Sequence, residues 1–137
     1  MKAPELTKNQ KEIKNTLTDY LGDEIVWKYC EVNGRYCALF ESDWESGYEK
    51  SCIIAFCQSQ SDAQNLHIVL MLKENDDYKV IGEILGDILK IEKIQIKDIN
   101  DDGKNEILIY NFAVNKDFSP QISFYSYDVN GIVKLDD

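Results

Sequence analysis

The chain contains a single arginine, Arg35, a single histidine, His67, and only two prolines. One arginine leaves almost no bidentate fork for phosphate or carboxylate. The lysines do not compensate, because 25 acidic residues face 15 basic ones and the formal charge is −10. Nucleic acids and anionic membrane surfaces are therefore poor partners, since both need clustered positive charge. A cation or a basic protein suits the chain better. One histidine in "NLHIVLML", with no nucleophile signature beside it, reads as a packed or surface residue. No G-x-S-x-G, P-loop or G-x-G-x-x-G is present. No apolar run reaches the ~18 residues of a spanning helix. The start "MKAPELTKNQ" lacks the apolar stretch of a signal peptide, which leaves a cytosolic protein or a mature form with an added Met1.

What is present is strand chemistry. Apolar residues make up 44 % of the 137 residues, with eight Tyr, five Phe and two Trp, enough for one core in a single domain over 1–137. A helix is expected over 7–21. Thr7 is its N-cap, Gln10 stands three residues on, Ile13, Leu17, Tyr20 and Leu21 fall at helical spacing, and Gly22 ends it. From Gly22 onward the period changes to two. "IVWKYCEVNGRYCALFE" reads as a hairpin turning on Asn33-Gly34, because a type I′ turn needs positive φ at both positions. "CIIAFCQ" reads as a buried strand and "SQSDAQN" as a loop. "LHIVLML" and "YKVIGEIL" form a second hairpin, with Gly82 and Gly86 marking a bulge or bend. "KIEKIQIKDI" alternates with a phase slip at Glu92-Lys93, and a third hairpin turns on Asn130-Gly131. The expectation is a mainly β, α+β fold. The helix packs on an antiparallel meander of about nine strands over 25–135, forming a sandwich, a barrel or propeller-like sheets.

One stretch carries recognisable chemistry. In "DINDDGKNE", oxygen side chains fall at positions one, three, five and nine (Asp98, Asn100, Asp102, Glu106), with Gly103 at six. Hard cations take six to eight oxygens at ~2.3–2.6 Å, and a curled loop delivers them from alternate residues. Glycine at six permits the sharp turn, and the Lys104 carbonyl at seven adds a main-chain oxygen. The pattern argues against an EF-hand: position twelve is Ile109 rather than a bidentate Glu, and the flanks read as strands. "DINDDGKNEILIY" resembles the D-x-D/N-x-D-G-x-x-D/E loop of integrin α-subunit FG-GAP repeats and related VCBS-like bacterial repeats. The resemblance covers about fifteen residues, without a second copy. It implies a structural Ca²⁺ held by Asp98, Asn100, Asp102, the Lys104 carbonyl and Glu106, with Glu in the last place where Asp is also found.

Four cysteines lack C-x-x-C spacing, which speaks against zinc. A two-residue turn puts Cys30 opposite Cys37, with Cβ atoms ~4.5–5.5 Å apart, so a bridge is expected in an oxidising compartment. Cys52 and Cys57 lie ~16 Å apart along one extended strand, beyond any bridge, though Cys57 competes for Cys37 if it faces that strand. The loop "FESDWESGYEKS" combines Asp43, Trp44, Glu45 and Tyr48, an acidic aromatic surface of the kind that anchors a partner. A simple calcium loop fills at the ~10⁻⁴–10⁻³ M affinities of extracellular modules, and the cysteines point the same way. The chain is thus expected to be a secreted, periplasmic or cell-surface bacterial protein, with room for a lipid anchor upstream, acting by binding and not as an enzyme. Two alternatives stand beside that reading: an acidic inhibitor or immunity protein capping a basic, cell-wall-active enzyme, and a metal-dependent hydrolase.

Overall fold

A computed structural model describes residues 8–43, 51–74, 77–87, 91–99, 101, 105–111, 121–128 and 131–135. The helix is as expected: α1 spans Lys8–Leu21 and turns Ile13 and Leu17 inward. Gly22 closes it at φ 73°, its N–H donating to the Thr18 carbonyl at 2.9 Å, as an αL cap requires.

The strands form two sheets. The five-stranded sheet holds β1 (Ile25–Trp27), β4 (Leu39–Asp43), β5 (Ser51–Ser59), β6 (Asp62–Glu74) and β7 (Asp77–Asp87). The six-stranded sheet holds β2 (Cys30–Val32), β3 (Arg35–Cys37), β8 (Ile91–Lys97), β9 (Glu106–Asn111), β10 (Gln121–Asp128) and β11 (Gly131–Leu135), in the order β11-β10-β9-β8-β2-β3. Two cores follow. One lies between the sheets, around Phe56, Leu70, Ile94 and Ile107. The other lies between α1 and the outer face of the five-stranded sheet, around Leu17, Ala55 and Met71. The five-stranded sheet is therefore the middle of three layers. This explains why "CIIAFCQ" and "IVLML" are continuous apolar runs and not alternating ones: both faces of β5 and β6 are covered.

Among the described residues eleven strands stand where about nine are expected, in a two-sheet sandwich with a helix on one side. The simple meander fails at "IVWKYCEVNGRYCALFE". That segment crosses between sheets twice, at Lys28-Tyr29 and at Ala38, so the hairpin keeps only three residue pairs. Backbone bonds hold the corners: Lys28 N–H to Phe56 carbonyl at 3.0 Å and Phe56 N–H to Ala38 carbonyl at 2.8 Å. The turn itself is type I′ as expected, with φ 52° at Asn33 and 83° at Gly34. Asn33 does more than turn. Its N–H donates to the Ile94 carbonyl, its side-chain oxygen accepts from Ile96 N–H at 2.9 Å, and its Nδ2 donates to the Ile96 carbonyl at 3.1 Å. The side chain thus extends the parallel β2–β8 pairing, which has one residue pair, Val32 with Ile94.

Two phase irregularities seen in the sequence are bulges. Glu92 is the extra residue between Ile91 and Lys93 opposite β9, and Ile81 is the extra residue beside Gly82 opposite β6. A Cβ at Gly82 would meet the Ile132 backbone nitrogen at 3.3 Å, so glycine lets β7 approach β11 and draws the two sheets together there. "SQSDAQN" is not a loop. Both long strands run into it and leave only a turn at Gln60-Ser61, with Ser59 paired to Asp62. In the last hairpin Gly131 pairs with Asp128 and so belongs to β11; Asn130 lies outside the described residues.

Candidate functional site

The stretch 98–106 joins β8 to β9, two antiparallel neighbours whose last pair is Lys97 with Glu106. The loop is thus built on a rigid hairpin base, in the strand–loop–strand context that the resemblance implies. Asp98 is half-buried at its entry, and Asp101 adopts φ 58°, the left-handed conformation that aspartate tolerates better than most residues. At its exit stands Glu106, only 2 % exposed. Its Oε1 accepts the Ile99 N–H at 3.1 Å, so the carboxylate folds back across the loop toward its first turn. A carboxylate this far from water needs compensation by hydrogen bonds or a cation. Asn100, Asp102, Gly103 and Lys104 lie outside the described residues. Among the described residues, no group of three or more His, Cys, Asp or Glu has the geometry of a metal site.

The proposed partner loop falls almost wholly outside what is described. Asp43 ends β4, whereas Trp44, Glu45 and Tyr48 are beyond it. Cys30 and Cys37 are Cα partners in β2 and β3, as expected, and both thiols are free and half-buried. Cys52 and Cys57 occupy opposite faces of β5, one in each core. Cys57 pairs with Trp27 and His67, on the helix side of the sheet. It therefore does not compete for Cys37, which packs against the inter-sheet core.

Two arrangements escape the sequence. The first is a polar network between α1 and the middle sheet. His67 Nδ1 lies 2.8 Å from Glu83 Oε2, and the Tyr20 hydroxyl donates to Glu83 Oε1 at 2.9 Å. Partial burial and then Glu83 raise the Tyr20 pKa above the usual tyrosine value. Cys57 adjoins His67 across the strands, which superficially sets out a thiol, an imidazole and a carboxylate. The thiol is wholly buried, however, and burial, reinforced by Glu83, pushes it up to about 12. The hydrogen-bonded members, His67, Glu83 and Tyr20, tie α1 to the middle sheet. Only the register of β5, β6 and β7 brings the thiol, imidazole and carboxylate together, and no sequence spacing announces that.

The second is a cleft of about 180 Å³ lined by Trp27, Tyr29, Tyr36, Cys37 and Leu39, with Gln10 of α1 at its rim. Tyr36 is 75 % exposed and Tyr29 is also exposed. A neighbouring cleft of about 230 Å³ shares Gln10 and Leu39 and continues past Tyr78 and Lys73. The three aromatics were legible only as strand residues. They converge because the chain changes sheets between Trp27 and Cys30.

No family model, no curated protein and no solved structure matches the chain.

Proposed function

We propose that residues 98–106 bind a structural Ca²⁺ and that the protein works outside the cytoplasm as a binding module without catalysis of its own. The observation that carries this reading is Glu106, a carboxylate 2 % exposed at the ninth position of D-x-N-x-D-G-x-x-E. Its fold-back onto Ile99 N–H is the posture of a residue that closes a loop. A divalent cation would balance it together with Asp98 and Asp102, whose like charges otherwise repel. Asn100 and the Lys104 carbonyl complete the expected oxygen set. The ion's part is to fix the β8–β9 connection, since every named donor is a protein oxygen.

Binding in place of catalysis is supported by what fills the clefts. Tyr29, Tyr36 and Trp27 offer broad, rigid, amphipathic surface of the kind enriched where proteins hold partners. The net charge of −10 favours a basic partner. The extracytoplasmic assignment follows from affinity: a hairpin loop of this type fills at ~10⁻⁴–10⁻³ M, far above cytosolic free Ca²⁺.

Calorimetric titration of chelator-stripped protein with Ca²⁺ tests the loop. The expected result is one site near that affinity, abolished in Asp98→Ala and in Asp102→Ala. Heat indistinguishable from dilution up to several millimolar would overturn it.

A further inference from the structure

We propose that Cys30 and Cys37 are a redox site, a dithiol that closes to a cross-strand disulfide within the β2–β3 hairpin. The inference does not depend on the calcium reading. Cys30 and Cys37 are Cα partners in an antiparallel pair. Such partners lie ~4.5–5.5 Å apart at Cα, inside the ~4.4–6.8 Å range of disulfides, so the strand spacing admits a bridge. Facing residues of a hairpin share one face, and both thiols are half-buried against the inter-sheet core. Their nearness also registers electrostatically: burial first, and then the neighbouring Cys37, raise the Cys30 thiol to about 11. No other cysteine competes. Cys57 is on the far side of the middle sheet; Cys52 faces the same inter-sheet core, but its strand partners are Ser42 and Leu72, whereas Cys30 and Cys37 are paired directly with each other.

Cys37 is the sulfur that reacts first. It lines the Trp27–Tyr29–Tyr36 cleft, which gives a small disulfide a way in. Burial raises its pKa, but the Arg35 guanidinium opposes part of that rise. The Cys37 thiolate attacks one sulfur of oxidised glutathione, forming a mixed disulfide and releasing one glutathione thiolate. Cys30, deprotonated in turn, attacks the Cys37 sulfur and expels the second glutathione as a thiolate. Two protein thiols are oxidised and one small disulfide is reduced to two thiols, the two protons given up by Cys37 and Cys30 being taken up, through solvent, by the two glutathione thiolates. The bridge would join β2, which Tyr29 immediately precedes, to β3, which carries Tyr36, so the redox state sets how firmly that aromatic wall is held.

The chain offers a direct test, because trypsin cleaves after its one arginine, Arg35, between the two cysteines. The intact protein is incubated with oxidised glutathione at about pH 8.5, near a free thiol's pKa, with EDTA present so that calcium has no part. It is then alkylated and digested without reduction. The expected product is a linked pair of peptides, 29–35 with 36–50, and a loss of two hydrogens in intact mass. The melting temperature should rise by about 5 °C, reversed by dithiothreitol and absent in Cys37→Ser. Persisting thiols, a glutathione adduct that Cys30 never resolves, or a bridge from Cys30 to Cys52 or Cys57 would each overturn the proposal.

Discussion

Asn33 shows how much one side chain carries. It supplies the left-handed turn and three hydrogen bonds to β8. Asn33→Gly keeps the turn and loses the two side-chain bonds, so it should cost about 1–2 kcal/mol in urea unfolding. Asn33→Val strains the turn as well and should cost about twice that. Asp23 acts on the same scale. Its carboxylate accepts Ser59 Oγ at 2.6 Å, Ser61 N–H at 2.9 Å and Glu24 N–H at 2.9 Å. Chiefly the Ser59 hydroxyl, and then Ser61 and the Glu24 N–H, hold its pKa down at about 2. A folded pKa below the ordinary value of ~3.9 means the contribution is complete above that value and fades as pH falls through about 2. Acid unfolding of Asp23→Asn should therefore lose the part of the wild-type pH dependence that lies between those values. The turn at Asn33 was legible because Asn-Gly between alternating flanks has one good solution. The clamp onto Ile96 was not, because its partner is 63 residues away.

At the scale of elements, legibility tracks covering. The helix, the buried strand Cys52–Gln58 and the bulge at Glu92 were all readable, because local periodicity reports which faces meet a neighbour. The sheet changes at Lys28-Tyr29 and Ala38 were not, since a strand that turns a corner keeps its alternation. The aromatic cleft depends on those corners, which is why it stayed hidden. The loop 98–106 was the reverse case: its residue spacing spoke plainly, and the β8–β9 register supplies the expected frame. Helix α1 makes one side of the second core, so Leu17→Ala, at a position with no exposure, should cost about 3 kcal/mol by denaturant unfolding. Within the loop, Glu106→Gln keeps the hydrogen-bond acceptor for Ile99 N–H and removes the charge. Calcium affinity should fall more than about tenfold, as one of the few charged ligands is lost. Unfolding in EDTA should barely change, because the substitution keeps that acceptor.

For the molecule as a whole, the middle sheet is covered on both faces, by α1 on one side and by the six-stranded sheet on the other. Ile94, Ile96, Ile107 and Ile109 of β8 and β9 lie in the inter-sheet core, so an ion at the loop that joins them should register in unfolding. The acidic surface bears on partners: binding of a basic protein should weaken severalfold between low and physiological salt, and a neutral partner should show no such slope. The measurement that tests the central claim most directly is thermal unfolding in EDTA and in millimolar Ca²⁺, run on the wild type and on the Asp98→Ala, Asp102→Ala double variant. A calcium-dependent rise in melting temperature of several degrees, confined to the wild type, is the predicted result. Equal melting temperatures in both conditions would make residues 98–106 a polar turn closed by Glu106 alone, and would remove the calcium argument for a place outside the cytoplasm.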